Sequence, residues 1–110
     1  MWEAHHLSQS IARPPAEVAE FAGDLSRWAA GVGPDMKVTF LPGREFGILD
    51  HDVEVGGQTF HNPLRVLAND EGSEVVFTLY RREGVTDEAF AADVAAVTAD
   101  LATLKARLEA

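Results

Sequence analysis

Near the end of the chain, Phe90, Val94, Val97, Leu101, Leu104 and Leu108 recur in alternating steps of four and three residues. That is the period of one face of an α-helix, so the pattern predicts a long amphipathic helix from about Thr86 to Leu108. Thr86 is a good N-cap, and Asp87 and Glu88 suit the positive end of the helix dipole. Ala91, Ala95, Ala102 and Ala106 flank the stripe and let a neighbouring element approach closely.

Upstream the period changes to two. Phe46–Val55, Gln58–Ala68 and Ser73–Arg82 alternate as strands, joined by Gly56-Gly57 and by the loop Asn69-Asp70-Glu71-Gly72. A Gly-Gly pair suits a two-residue hairpin turn, because positive φ is open to glycine. That turn sets Val53 opposite Phe60, His51 opposite Asn62 and Leu49 opposite Leu64. The second loop sets Val66 opposite Val75, Leu64 opposite Phe77, Asn62 opposite Leu79 and Phe60 opposite Arg81. The two registers agree on one apolar face: Leu49, Val53, Val55, Phe60, Leu64, Val66, Val75, Phe77 and Leu79. A slip of one residue would turn every one of these side chains outward. Asp50, Asp52, Glu54, His61, Arg65, Thr78 and Tyr80 fall on the opposite, solvated face, where Asp52 meets His61 and His61 meets Tyr80. Phe46 and Ile48 point the same way, which suggests cover by a loop or a dimer contact.

The first third reads as a strand over residues 2–11, stopped by Pro14-Pro15. Proline is tolerated in the first turn of a helix. Val18, Phe21 and Ala22, then Leu25, Trp28 and Ala29, give two short helices with a break at Gly23. Met36–Leu41 is a short strand with Met36, Val38 and Phe40 on one face, and Pro42-Gly43 is a turn.

At 110 residues the chain makes one domain, residues 1–110, with room for one core and little for a generous cavity besides. The net charge of −9 disfavours nucleic acid and anionic membranes as partners. Cysteine is absent, which removes thiolate nucleophiles, disulfides and zinc–thiolate sites. The N-terminus lacks the basic start and apolar run of a signal peptide, and no window reaches the roughly 20 apolar residues of a membrane span. The expectation is a cytoplasmic protein.

The order of strand, broken helix pair, antiparallel strands and long C-terminal helix resembles the α+β helix-grip fold of the START-related (SRPBCC) superfamily, which includes polyketide cyclase/dehydrase-like proteins. Ile11-Ala12-Arg13-Pro14-Pro15-Ala16-Glu17-Val18, followed by Phe21, Asp24 and Trp28, resembles the opening strand–helix junction of that family. Phe46-Gly47-Ile48-Leu49-Asp50-His51 and Glu74-Val75-Val76-Phe77-Thr78-Leu79-Tyr80-Arg81-Arg82 resemble strands of a bacterial branch. The resemblance spans nearly the whole chain and rests on structural motifs. It implies a curved sheet of about five strands gripping the last helix. Relatives usually carry a further hairpin where this chain has only Gly31–Asp35, so the chain reads as internally shortened. The pocket would be reduced, and Met36–Leu41 would be an open sheet edge able to pair with a second subunit.

Two polar residues interrupt the gripping face: His51 and Asn62. An imidazole opposite a carboxamide can orient a polar ligand group, or the histidine can act as acid–base; the plainer alternative is a core histidine satisfied by its neighbours. The expected ligand-binding set is His51, Asn62 and Arg81 with Phe60, Leu64 and Phe77 of the sheet. Trp28, like Phe21, reads first as a core anchor of the short helices; the resemblance adds it as a residue at the pocket mouth. Asp50, Asp52 and His61 share a face but lack a further ligand, so no metal is expected. No nucleophile elbow, Walker loop, dinucleotide glycine pattern or zinc-protease helix appears, and no cofactor is expected. The expected function is a small hydrophobic-ligand-binding module. A homodimeric interaction protein without a ligand is the alternative, or a cyclase/dehydratase-like enzyme using His51 as acid–base.

Overall fold

The computed structural model describes residues 1–110. Its elements run β1 (Glu3–Ile11), α1 (Pro15–Ala22), a 3₁₀ turn (Leu25–Arg27), β2 (Lys37–Phe40), a second 3₁₀ turn (Arg44–Phe46), β3 (His51–Val55), β4 (Gln58–Asn62), β5 (Leu64–Asn69), β6 (Gly72–Arg81) and α2 (Asp87–Glu109). The architecture is α+β. Pro15 opens α1, and Asp24 caps the first 3₁₀ turn by accepting from the Ser26 amide. The helix break at Gly23 is where the chain places it from sequence.

The sheet departs from expectation in one respect. There are six strands in two antiparallel sheets, ordered β1-β6-β5 and β2-β3-β4, and not a single sheet of five. Pro63 is the cause. It has no N–H to give to β6, so the ladder that pairs Leu64 with Phe77 ends with the Thr78 amide donating to the Pro63 carbonyl at 3.0 Å. Beyond it β4 joins the other sheet. Asn62 does not pair with Leu79, nor Phe60 with Arg81; Leu79 and Arg81 pair with His5 and Glu3 of β1. His61 likewise meets Asp52 but not Tyr80, which pairs with Ala4.

The hairpin register survives the division. His51 opposes Asn62, Val53 opposes Phe60, and Leu64 opposes Phe77. Two backbone bonds stitch the sheets together across the bend: Leu49 N–H to the Leu64 carbonyl and Val66 N–H to the Gly47 carbonyl, both 2.8 Å. Gly47 is required there, since its φ is 77° and a Cβ would stand 2.3 Å from the Val66 carbonyl oxygen.

Helix α2 lies against β1 and β6 and presents Phe90, Leu101, Leu104 and Leu108 to the interior. Its C-terminal turn is tied down by Lys105, which donates to the Ser10 carbonyl, and by Glu109, which accepts from the Ala12 amide. Val18 and Ala22 of α1, Leu25, Trp28, Leu49, Leu64, Val75 and Phe77 complete one continuous core. Trp28 is held by its indole N–H, which donates to the Ala22 carbonyl at 3.1 Å. Residues 28–36 make only turns before β2 begins, and β2 is an edge strand of its sheet. No helix is long and apolar enough to cross a membrane.

Candidate functional site

One regular ladder bond is missing at the bend. The Leu64 amide should donate to the Leu49 carbonyl, because those residues face each other in the register. It donates to Asp50 Oδ1 at 2.9 Å instead. The freed Leu49 carbonyl accepts from His51 Nδ1 at 2.9 Å. Adjacent side chains of one strand therefore replace the two halves of a single backbone bond. Asp50 is fixed in turn by Arg65, whose Nε and a terminal nitrogen donate to its two oxygens at 2.8 and 2.7 Å. The expectation that Asp50 is solvated is thus corrected: it is 7% exposed, drawn in by the Leu64 amide and by Arg65 diagonally across the pair. The Arg65 guanidinium holds its carboxyl below the usual carboxylate range, against the opposing effect of burial.

The bond to Leu49 settles the chemistry of His51. Its partner is a carbonyl, so Nδ1 carries the proton and Nε2 is an acceptor. The ring is 2% exposed and lies between Phe40 and Phe77, with centroids 5.2 and 6.4 Å away. Burial pushes its pKa below the ordinary histidine value, against the pull of the Leu49 carbonyl and of Asp50, so the imidazole is neutral at pH 7. Nε2 has no hydrogen-bond partner in the protein.

His51 faces a recess of about 140 Å³. Its floor is Val53, Phe77 and Asn62 of the sheet, its roof Leu25, Trp28, Ala29 and Val32, and its flank Val97 and Asp100 of α2. Apart from His51, Asn62 and Asp100 the lining is apolar. The rim carries the exposed Gly31 and the half-buried Asp100, whose carboxylate accepts from the Ala30 amide at 3.1 Å. Here the connection to β2 is short, so the recess opens where longer helix-grip chains are expected to place a hairpin. The Asn62 carboxamide makes no hydrogen bond within the protein, which leaves its N–H and its carbonyl free toward the recess. As a directly opposed pair on one face, Asn62 and His51 have Cβ atoms about 5 Å apart.

Of the seven ligand-binding residues expected from sequence, His51, Asn62, Phe77 and Trp28 meet at this recess. Leu64 is fully buried beneath it as core. Phe60 and Arg81 lie elsewhere. The Arg82 guanidinium sits over the Phe60 ring at 4.9 Å and, at the same distance, over Trp2. Arg81 closes the turn into α2, donating to the Val85 carbonyl and pairing with Asp87 at 2.7 Å. Its parity puts it on the inner face, but β6 has run past the recess by that point. Asp52 and His61 are joined by a 2.8 Å hydrogen bond on the outer face. Val97 and Asp100 were not singled out as site residues. The signal was present: Asp100 stands three residues after Val97 and four before Leu104, beside the apolar stripe.

A curved antiparallel sheet closed by a long C-terminal helix, with short helices after the first strand and a recess between them, defines the helix-grip fold. No family model matches the chain, and no curated protein matches it significantly. Solved structures do. The structure of Ara h 8.0201 aligns with a TM-score of 0.65 at 11% identity, covering 97% of each chain. The protein TTHA0849 from Thermus thermophilus aligns at 0.57 and 16% identity, covering 96% of each chain. The Zhui aromatase/cyclase from Streptomyces sp. R1128 aligns at 0.54 and 18% identity, over 99% of this chain and 94% of its own. Ara h 8.0201 and the aromatase/cyclase are both helix-grip proteins of the SRPBCC kind. At these identities the likeness establishes the fold and leaves the chemistry to the site itself.

Proposed function

We propose that the protein binds a small, mostly apolar molecule in the recess between the sheet, the short helices and α2. The observation that carries this reading is a nearly buried histidine whose Nε2, without a protein partner, opens onto a mostly apolar recess. Every buried polar side-chain atom of the protein has a partner, so Nε2, which has none, is reached from the recess by solvent. A ligand in the recess would take the place of water on Nε2. The volume bounds the ligand, since an apolar cavity of about 150 Å³ accommodates benzene. One ring, or a short branched chain, matches that space.

The same volume argues against the enzyme reading. A polycyclic substrate would not fit a one-ring space, and the only polar groups at the recess are His51, Asn62 and the rim carboxylate of Asp100. A neutral His51 that can accept a proton and the Asn62 carboxamide opposite it are the groups that such chemistry would have to use.

The test is a ¹H–¹⁵N NMR titration with benzene, toluene and indole at millimolar concentration. Saturable shifts of the Trp28 indole and of Val97, lost in a recess-filling Val97→Phe variant that retains the wild-type spectrum elsewhere, support binding. No saturable shift with any of the three refutes it.

A second reading is favoured by the free edge of β2, just after which Leu41 is 40% exposed. Such an edge is suited to antiparallel pairing with a second copy, giving a homodimer. Sedimentation equilibrium separates the cases: a monomer at 100-fold the working concentration eliminates the dimer.

A further inference from the structure

We propose that the preferred occupant of the recess is a neutral one-ring molecule bearing a hydroxyl group, of the phenol type, with its O–H donated to His51 Nε2 and its oxygen accepting from the Asn62 carboxamide. This deepens the binding reading and rests on it.

The argument starts from the replaced ladder bond. Because Nδ1 is committed to the Leu49 carbonyl, His51 offers the recess an acceptor only. A ligand that accepts but cannot donate, such as an ether or ketone, leaves Nε2 unsatisfied. Asn62 sits directly opposite in the register and has no protein partner, so its N–H groups are available on the same face. A group that serves both must donate to one and accept from the other within the span of one cross-strand pair. A hydroxyl does this with a single oxygen atom. The remainder of the wall, Leu25, Trp28, Ala29, Val32, Val53, Phe77 and Val97, offers only apolar contact to the ring.

Charge selects in the same direction. Asp100 is a carboxylate at the rim, and the chain carries a net charge of −9. A neutral imidazole gives an anion no compensating partner. A carboxylate-bearing ring such as benzoate therefore meets repulsion at the mouth and a burial penalty inside.

The experiment compares phenol with toluene, its near-isostere without the hydroxyl, and with benzoate, by NMR titration and calorimetry on the intact chain. Two buried hydrogen bonds predict phenol binding at least ~10-fold tighter than toluene. Benzoate is expected to bind at least ~10-fold more weakly than phenol. The ¹⁵N resonance of His51 Nε2 should move upfield with phenol and stay in place with toluene. Asn62→Leu, which removes no protein hydrogen bond, should reduce the ratio of phenol to toluene affinity. His51→Phe should abolish the preference where the variant retains its fold; Asn62→Leu and the Nε2 resonance carry the test should it not. Equal affinity for phenol and toluene, or an unmoved Nε2 resonance, overturns this inference and leaves the binding reading intact. Tighter binding of benzoate than of phenol overturns it as well. Failure of phenol and toluene alike overturns the binding reading.

Discussion

Replacing Asp50 by alanine isolates the bond exchange at the bend. The Asp50 carboxylate accepts three hydrogen bonds, one from the Leu64 amide and two from Arg65. Leu64 is fully buried, so without the carboxylate its amide has neither partner nor water. An unsatisfied buried donor costs about 1–3 kcal/mol. The Arg65 side chain is 48% exposed and is largely rehydrated when released, so its share is only about 0.2–1 kcal/mol. Asp50→Ala is therefore expected to destabilise by roughly 2–3 kcal/mol, most of it from Leu64 and little from the ion pair. Chemical denaturation measures this directly, and the melting temperature should fall by about 10 °C for a domain of this size. Asp50→Asn keeps an oxygen for the Leu64 amide and should recover more than half the loss. Acid titration gives a second readout. The carboxyl is held low by Arg65, so its contribution is complete above the unfolded-state pKa of about 3.9. It is lost as pH falls through the lower folded-state value. Asp50→Asn should remove that acid-dependent portion. A loss under about 0.5 kcal/mol for Asp50→Ala would refute the reasoning, because it would mean that the Leu64 amide returns to the Leu49 carbonyl at no cost.

Other outcomes follow from the same structure. Gly47→Ala forces positive φ on an L-residue and drives a Cβ into the Val66 carbonyl, so a loss above about 2 kcal/mol is expected in urea unfolding. Leu104→Ala, at a position with no exposure, should cost about 2–5 kcal/mol by the same measurement. Burial lowers the His51 pKa below the unfolded value of about 6.5, so the unfolded chain takes up this proton first. The contribution of His51 is complete above that pH and declines as pH falls toward the folded-state value; NMR should show an imidazole midpoint below 6.5, and a normal midpoint would contradict the burial described.

The hairpin register was readable because Gly56-Gly57 permits one turn and the apolar alternation of β3 and β5 agrees with it. Helix α2 was readable from spacing alone. The break at Pro63 was not, because alternation continues through it: Leu64 keeps the parity that Asn62 sets, and parity carries no information on whether an amide has a hydrogen to give. The same blindness put Asp50 in solvent. Its face was assigned correctly, but the Leu49–Leu64 bond it replaces is visible only once donors and acceptors are counted pair by pair. Arg65, diagonal to it on the same face, was the available clue. Asp100 went unread because an acid on an amphipathic helix is ordinarily solvated, and the recess it borders forms only when the short helices fold over the sheet. Arg81 shows the converse: correct parity locates a face but not how far along the strand a site extends.

The exchange at the bend also bears on descent. His51 supplies the hydrogen that the Leu49 carbonyl would otherwise lack, so selection for a stable fold suffices to keep a histidine there. Its retention in diverging lineages would say little about what the recess holds. Asn62 stands in the opposite position. Its side chain satisfies no atom of the protein, and nothing in the architecture would stop it drifting to leucine or valine beside its apolar neighbours. Of the facing pair it is the asparagine whose persistence or loss over evolutionary time would record whether the recess has been used.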